Sequence, residues 1–83
     1  MDVKLTWKED MAFNGTAESG HELTLDSSES VGGHNTGFRP MELMALGTAG
    51  CSSIDVVSIL RKKRVPFTAF ECKVHVESVR DAH

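Results

Sequence analysis

The stretch Gly37–Arg64, GFRPMELMALGTAGCSSIDVVSILRKKR, is the longest apolar-rich run in the chain and carries a cysteine near its middle. Pro40 suits a first helical turn, because its missing N–H is one that a helix leaves unpaired anyway. Glu42 puts negative charge in that first turn, and Arg61, Lys62, Lys63 and Arg64 put positive charge in the last, both complementing the helix dipole. Val65-Pro66 stops the run. A helix from Pro40 to Arg64 is therefore predicted. Its apolar residues (Leu43, Met44, Leu46, Ile54, Val56, Val57, Ile59 and Leu60) wrap most of the circumference instead of forming one stripe, which is the pattern of a helix buried on nearly every side. A chain of this length has too little sheet to cover such a helix, so a second copy or a missing second half is expected to do so.

The flanks read as strands. VKLTW (Val3–Trp7) alternates apolar and polar residues with period two. Glu9-Asp10 forms a turn, and MAFNGTAE follows, with Asn14-Gly15 read as a bulge or a second turn. HELTLD (His21–Asp26) alternates again after Ser19-Gly20, completing an antiparallel meander. Ser27–Pro40, rich in Gly, Ser and Asn, reads as a mobile surface loop. After the helix, FTAFECKVHVES (Phe67–Ser78) returns to alternation, placing Cys72 on an inward face with Phe70, Val74 and Val76. The class is α+β: a strand meander, a long central helix and a further strand.

With 83 residues the chain holds one domain, and its net charge is −3. The basic residues are scattered apart from Arg61–Arg64, a poor footprint for nucleic acid. No run of about 18 residues is free of charges, so a membrane span is not expected. The first ten residues lack an apolar signal core, which points to a cytoplasmic protein. Two cysteines in such a chain are expected as thiols, and their spacing matches no zinc pattern. No two histidines have ligand spacing, so neither a metal nor a cofactor is expected. Trp7 and the four phenylalanines read as core or interface packing.

Small residues crowd Cys51: Gly47, Thr48, Ala49 and Gly50 before it, Ser52 and Ser53 after it. One reading makes Cys51 a small buried hydrophobe. The other makes it a reactive thiolate, which needs a helix N-terminus or a nearby cation. Gly47 and Gly50 weaken the helix; a break there would make Cys51 a first-turn residue of a second segment. Glu42 lies nine positions earlier, half a turn out of phase on a straight helix, and meets Cys51 only across a kink or from another protomer. Asp55, one turn later on the same face, would oppose ionisation of the thiol. Arg39 is the nearest cation in the sequence, and reads equally as an exposed loop residue.

The run FRPMELMALGTAGCSSIDVVSILRKKR resembles the central helix of the OsmC/Ohr superfamily, the osmotically inducible and organic hydroperoxide resistance proteins. The likeness rests on Pro40, Glu42-Leu43, the small-residue step Gly47–Gly50, Cys51 and SSIDVVSIL. It extends over both flanks, VKLTW…FNGTAESGHELTLD and FTAFECKVHVESVRDAH, and is strongest toward a small OsmC-like branch without an assigned substrate. The resemblance implies an OsmC-like α+β fold in an intertwined homodimer with the central helices packed together. It also implies that residues 1–83 are a single domain incomplete at its C-terminal end, the N-terminal half of a longer family chain. In activity it implies a thiol peroxidase that reduces organic hydroperoxides with a thiol reductant, Cys51 being the attacking thiol and Glu42 a candidate activating carboxylate. The glutamate that the hydroperoxide resistance proteins place ten residues before the cysteine falls on Met41, whereas Glu42 matches the other branch. The second, resolving cysteine of the family would fall past His83, Cys72 is not at its position, and no arginine precedes Arg39. A non-catalytic dimerisation or small-ligand-binding module is therefore the alternative reading.

Overall fold

The structure is a computed structural model of the chain and describes residues 1–77. Alternation sets the sheet. Strands β1 (Val3–Glu9), β2 (Ala12–Ala17) and β3 (Glu22–Leu25) form an antiparallel meander in the order β1-β2-β3. Val3, Leu5 and Trp7 pair with Ala17, Gly15 and Phe13, and the last two pair in turn with Leu23 and Leu25. One face of the sheet is thus continuously apolar. The opposite face carries Lys4, Thr6, Asn14, Thr16, Glu22 and Thr24. Asn14-Gly15 is neither bulge nor turn: both residues sit mid-strand, and the irregularity falls between Trp7 and Glu9 instead. It leads into a hairpin turn where Asp10 takes a left-handed conformation (φ 49°) and its carbonyl accepts the Trp7 indole N–H at 2.8 Å.

Residues 27–39, expected to be mobile, are tied down. Asp26 and Ser27 carry the only buried polar side chains among the described residues. Asp26 Oδ1 accepts the Ser27 N–H (2.7 Å), and Oδ2 accepts the N–H groups of His34 (3.1 Å) and Thr36 (3.2 Å) and the Thr36 hydroxyl (2.7 Å). A 3-10 turn at Glu29–Val31 folds the outer part, and Gly33 N–H reaches back to the Ser28 carbonyl. The returning chain then lays Phe38 beside β3: Phe38 N–H donates to Thr24 O and Asp26 N–H to Phe38 O, both 3.0 Å.

From that bridge the chain turns directly into helix α1 (Pro40–Lys62). Glu42 Oε1 accepts the Arg39 N–H at 2.8 Å, satisfying one donor at the helix start. The break at Gly47–Gly50 that would have put Cys51 in a first turn does not occur; α1 is one continuous helix, as predicted from its ends. Thr48 bonds its hydroxyl back to the Met44 carbonyl (2.9 Å), so its polar group is satisfied within the helix. Arg64, in the left-handed region (φ 56°), ends the helical course, and Val65 N–H bonds to Leu60 O.

No residue of α1 is buried, and the described residues hold no buried hydrophobic core. Trp7 is 62% exposed, so the core role open to it in the sequence is not realised within one chain. The Cα radius of gyration is 16.2 Å, against about 12 Å for a compact domain of this length. By length and composition alone α1 is long and apolar enough to cross a membrane, a property that core helices of soluble proteins share. The strand expected over Phe67–Ser78 is not formed through Glu77, and Ser78 lies outside the described residues. A strand needs a neighbouring backbone to satisfy its N–H and C=O groups; on the β3 side of the sheet, Phe38 already occupies part of the place where one would pair.

Gly33 and Gly37 make the loop possible. A Cβ on Gly33 would overlap the Ser27 carbonyl, and one on Gly37 the Thr24 carbonyl. Because both obstacles are backbone, Gly33→Ala and Gly37→Ala are each expected to cost about 1–3 kcal/mol, measured by thermal or urea unfolding.

Candidate functional site

Four residues singled out in the sequence, Arg39, Glu42, Cys51 and Asp55, lie on or beside α1. Cys51 is exposed, eleven residues after Pro40 on an unbroken helix. It therefore gains nothing from the helix N-terminus, whose field fades within the first turn. Glu42 precedes it by nine residues, a rise of about 13.5 Å and half a turn of rotation. A single chain does not bring Glu42 to Cys51. The Glu42 carboxylate is engaged at the helix start with the Arg39 backbone, and both residues line an open cleft of about 610 Å3 with Thr24, Asn35, Thr36, Gly37 and Phe38. The Arg39 guanidinium is held there by Asn35 Oδ1 (2.8 Å) and the Gly37 carbonyl (3.3 Å). Asp55 sits one turn beyond Cys51 on the same face.

Cys72 is exposed and lies on the other side of the helix. It shares a cavity of about 250 Å3 with Glu42, Ala45, Leu46, Ala49 and Val74. Ala49 is two positions, or about 200°, from Cys51 around the helix, so the two thiols look away from each other. Among the described residues no group of three or more His, Cys, Asp or Glu side chains is placed to hold a metal ion. On the Cys51 side, Gly47 and Gly50 have open space where a Cβ would stand. The sulfur thus rises from a helix surface kept low by glycine and serine.

A strand meander entering a long helix with a cysteine on a small-residue step is the framework of one protein family. The sequence profile of the OsmC-like protein family matches residues 33–83, and the chain belongs to that family. It is 35% identical over 80 residues to the protein YhfA of Escherichia coli strain K12, covering 96% of this chain and 55% of YhfA; the YhfA of Shigella flexneri gives the same figures. The chain thus spans about half the length of the curated relatives it matches. A solved structure from structural genomics, 38% identical, superposes with a TM-score of 0.66 over 77% of this chain and 46% of its own. These likenesses support the α+β, OsmC-like architecture expected from the sequence.

The residue that the sequence reading passed over is Asp26. It ends HELTLD, where it reads as the last polar position of a strand. The available signal was an aspartate directly before a Ser- and Gly-rich segment, a place where carboxylates fold the following backbone onto themselves. The Thr36 hydroxyl lowers its pKa to about 2, helped by the Thr36, Ser27 and His34 N–H groups and opposed by burial. Its folded value lies below the ordinary 3.8, so its stabilisation is fully present above pH 4 and is lost as pH falls toward 2. Acid titration followed by circular dichroism is expected to show loss of structure between about pH 4 and 2. Asp26→Asn, which carries no carboxylate, is expected to start less stable and to lose that dependence.

Proposed function

We propose that the chain is the cysteine-bearing half of a thiol-dependent organic hydroperoxide reductase, acting in a cytoplasmic homodimer. The observation that carries this reading is Cys51. Its sulfur is exposed on the helix that the family profile matches, over a surface cleared by Gly47 and Gly50. In the reaction the Cys51 thiolate attacks the outer peroxide oxygen. The S–O bond forms, the O–O bond breaks, and the inner oxygen takes a proton and leaves as an alcohol. Cys51 is left as a sulfenic acid. A thiol reductant condenses with it, releasing water and forming a mixed disulfide, and a second thiol restores Cys51. The apolar helix residues on the Cys51 side, Met44 and Ile54, favour organic over hydrogen peroxide.

A homodimer supplies what one chain lacks. Two α1 helices packed across Gly47 and Gly50 would cover the exposed Met44, Leu46, Ile54 and Ile59. Antiparallel copies would also bring the partner's helix start, with its Glu42, toward Cys51. A second reading, a non-catalytic dimerisation or ligand-binding module, draws support from two facts: Glu42 lies half a turn from Cys51 in the same chain, and Asp55 is the charged neighbour one turn away.

Stoichiometric cumene hydroperoxide followed by mass spectrometry is expected to oxidise Cys51 much faster than Cys72, which is also exposed; equal rates exclude the peroxidase. The alkylation rate of Cys51 against pH separates the two readings. A midpoint near or below about 6 supports catalysis, and one at or above the free-thiol value of about 8.5 supports the module. Sedimentation at micromolar concentration is expected to give a dimer, which Gly50→Leu should disrupt. A well-folded monomer would overturn the assembly.

A further inference from the structure

The sheet and α1 share so little surface that no helix residue is buried. What relates them is the segment 27–39, with Asp26 as its inner anchor. Its outer edge has a second attachment far away in sequence: His34 Nε2 lies 2.9 Å from Asp10 Oδ2 on the β1–β2 turn. Asp10 is itself fixed, since its left-handed backbone is braced by the Trp7 indole. Met11, the next residue, lies under Gly32. On the other side of His34 is Asn35, also left-handed (φ 55°), whose amide oxygen holds the Arg39 guanidinium. A chain of contacts therefore runs from Trp7 through Asp10, His34 and Asn35 to Arg39 at the start of α1.

We propose that the His34–Asp10 pair is a proton-operated latch that holds the outer loop, and through Asn35 the Arg39 side chain, against the β1–β2 hairpin. The charged groups that face His34 are Asp10 on the turn, Glu9 at the end of β1 and Asp26 after β3, all of them acidic. The hydrogen bond and the charge of Asp10 raise the imidazole pKa above its ordinary 6.5, Asp26 and Glu9 add to this, and partial desolvation opposes it. A raised folded pKa means that the latch contributes fully below pH 6.5 and weakens as pH rises through the folded value. The His34 backbone N–H stays bound to Asp26, whose carboxylate does not titrate in this range. The movement is thus confined to the outer edge while the inner anchor keeps the fold. Both partners are more than half exposed, so the latch tunes a local equilibrium and not global stability. It does not depend on whether Cys51 is reactive.

Nuclear magnetic resonance titration of the 83-residue chain from pH 5 to 9 tests this. His34 should titrate above 6.5, and Asp10→Asn should lower its midpoint toward the ordinary value. The Gly33 and Asn35 amides, bonded to Ser28 O and Ser27 O, report the loop. Their protection, corrected for intrinsic exchange, should fall severalfold across the His34 midpoint in the native chain. In His34→Gln it should be low and independent of pH. Trp7, the single tryptophan, gives a second readout: its fluorescence should step at the same midpoint and lose that step in both variants. Circular dichroism checks that each variant is folded. The latch is overturned if His34 titrates while the two amides keep constant protection, or if His34→Gln retains the native profile.

Discussion

The arrangement depends on one buried carboxylate. Asp26 accepts four hydrogen bonds from residues one, eight and ten positions ahead of it, and so converts thirteen residues with no apolar pattern into a fixed return path. An ionised group out of water is tolerated only where it is fully bonded, and here donors from the loop replace the lost water. The loop in turn delivers Phe38 to the edge of β3 and Pro40 to the first turn of α1. Were the helix seated on the sheet by packing, the loop would be incidental. With no residue of α1 buried, the direction of the helix is inherited from Asp26.

Periodicity made most of the secondary structure legible. The three strands and the single long helix follow from period-two and capping signals that act between near neighbours, and Pro40 and Glu42 mark the helix start within one residue. One expectation failed because local signals do not supply partners: Phe67–Glu77 alternates like a strand but has no ladder to join. Gly47–Gly50 weakens the helix without breaking it, because helical bonding on both sides carries through. The loop was misjudged for the opposite reason, since its order comes from contacts eight to twenty-four residues apart that composition does not reveal. Of the candidate site, Cys51 was legible from its small neighbours. Its separation from Glu42 followed from helix geometry once the helix proved continuous.

The cover missing from α1 and from the apolar sheet face is of one kind. Both surfaces are patterned for burial, yet each is open over most of its area, and the chain spans 55% of the relatives it matches. Among the described residues the fold is thus specified by hydrogen bonds and turn chemistry, whereas the apolar term that normally dominates folding is largely unspent. The chain belongs to the OsmC-like family, and the exposed thiol of Cys51 stands on the helix among these open surfaces.

The open edge of β1 has a consequence for how copies of this chain behave in solution. Every residue of Val3–Glu9 is exposed, and its outer backbone groups would template another strand. Lys4 and Lys8 stand on that strand as like charges, which any approaching copy in the same register must bring together. Such guards act over a Debye length of about 10 Å at 0.1 M salt and about 3 Å at 1 M. Concentrated salt, which strengthens apolar association, would therefore also disarm the edge. The reach of the two lysines that guard this edge is thus set by the buffer.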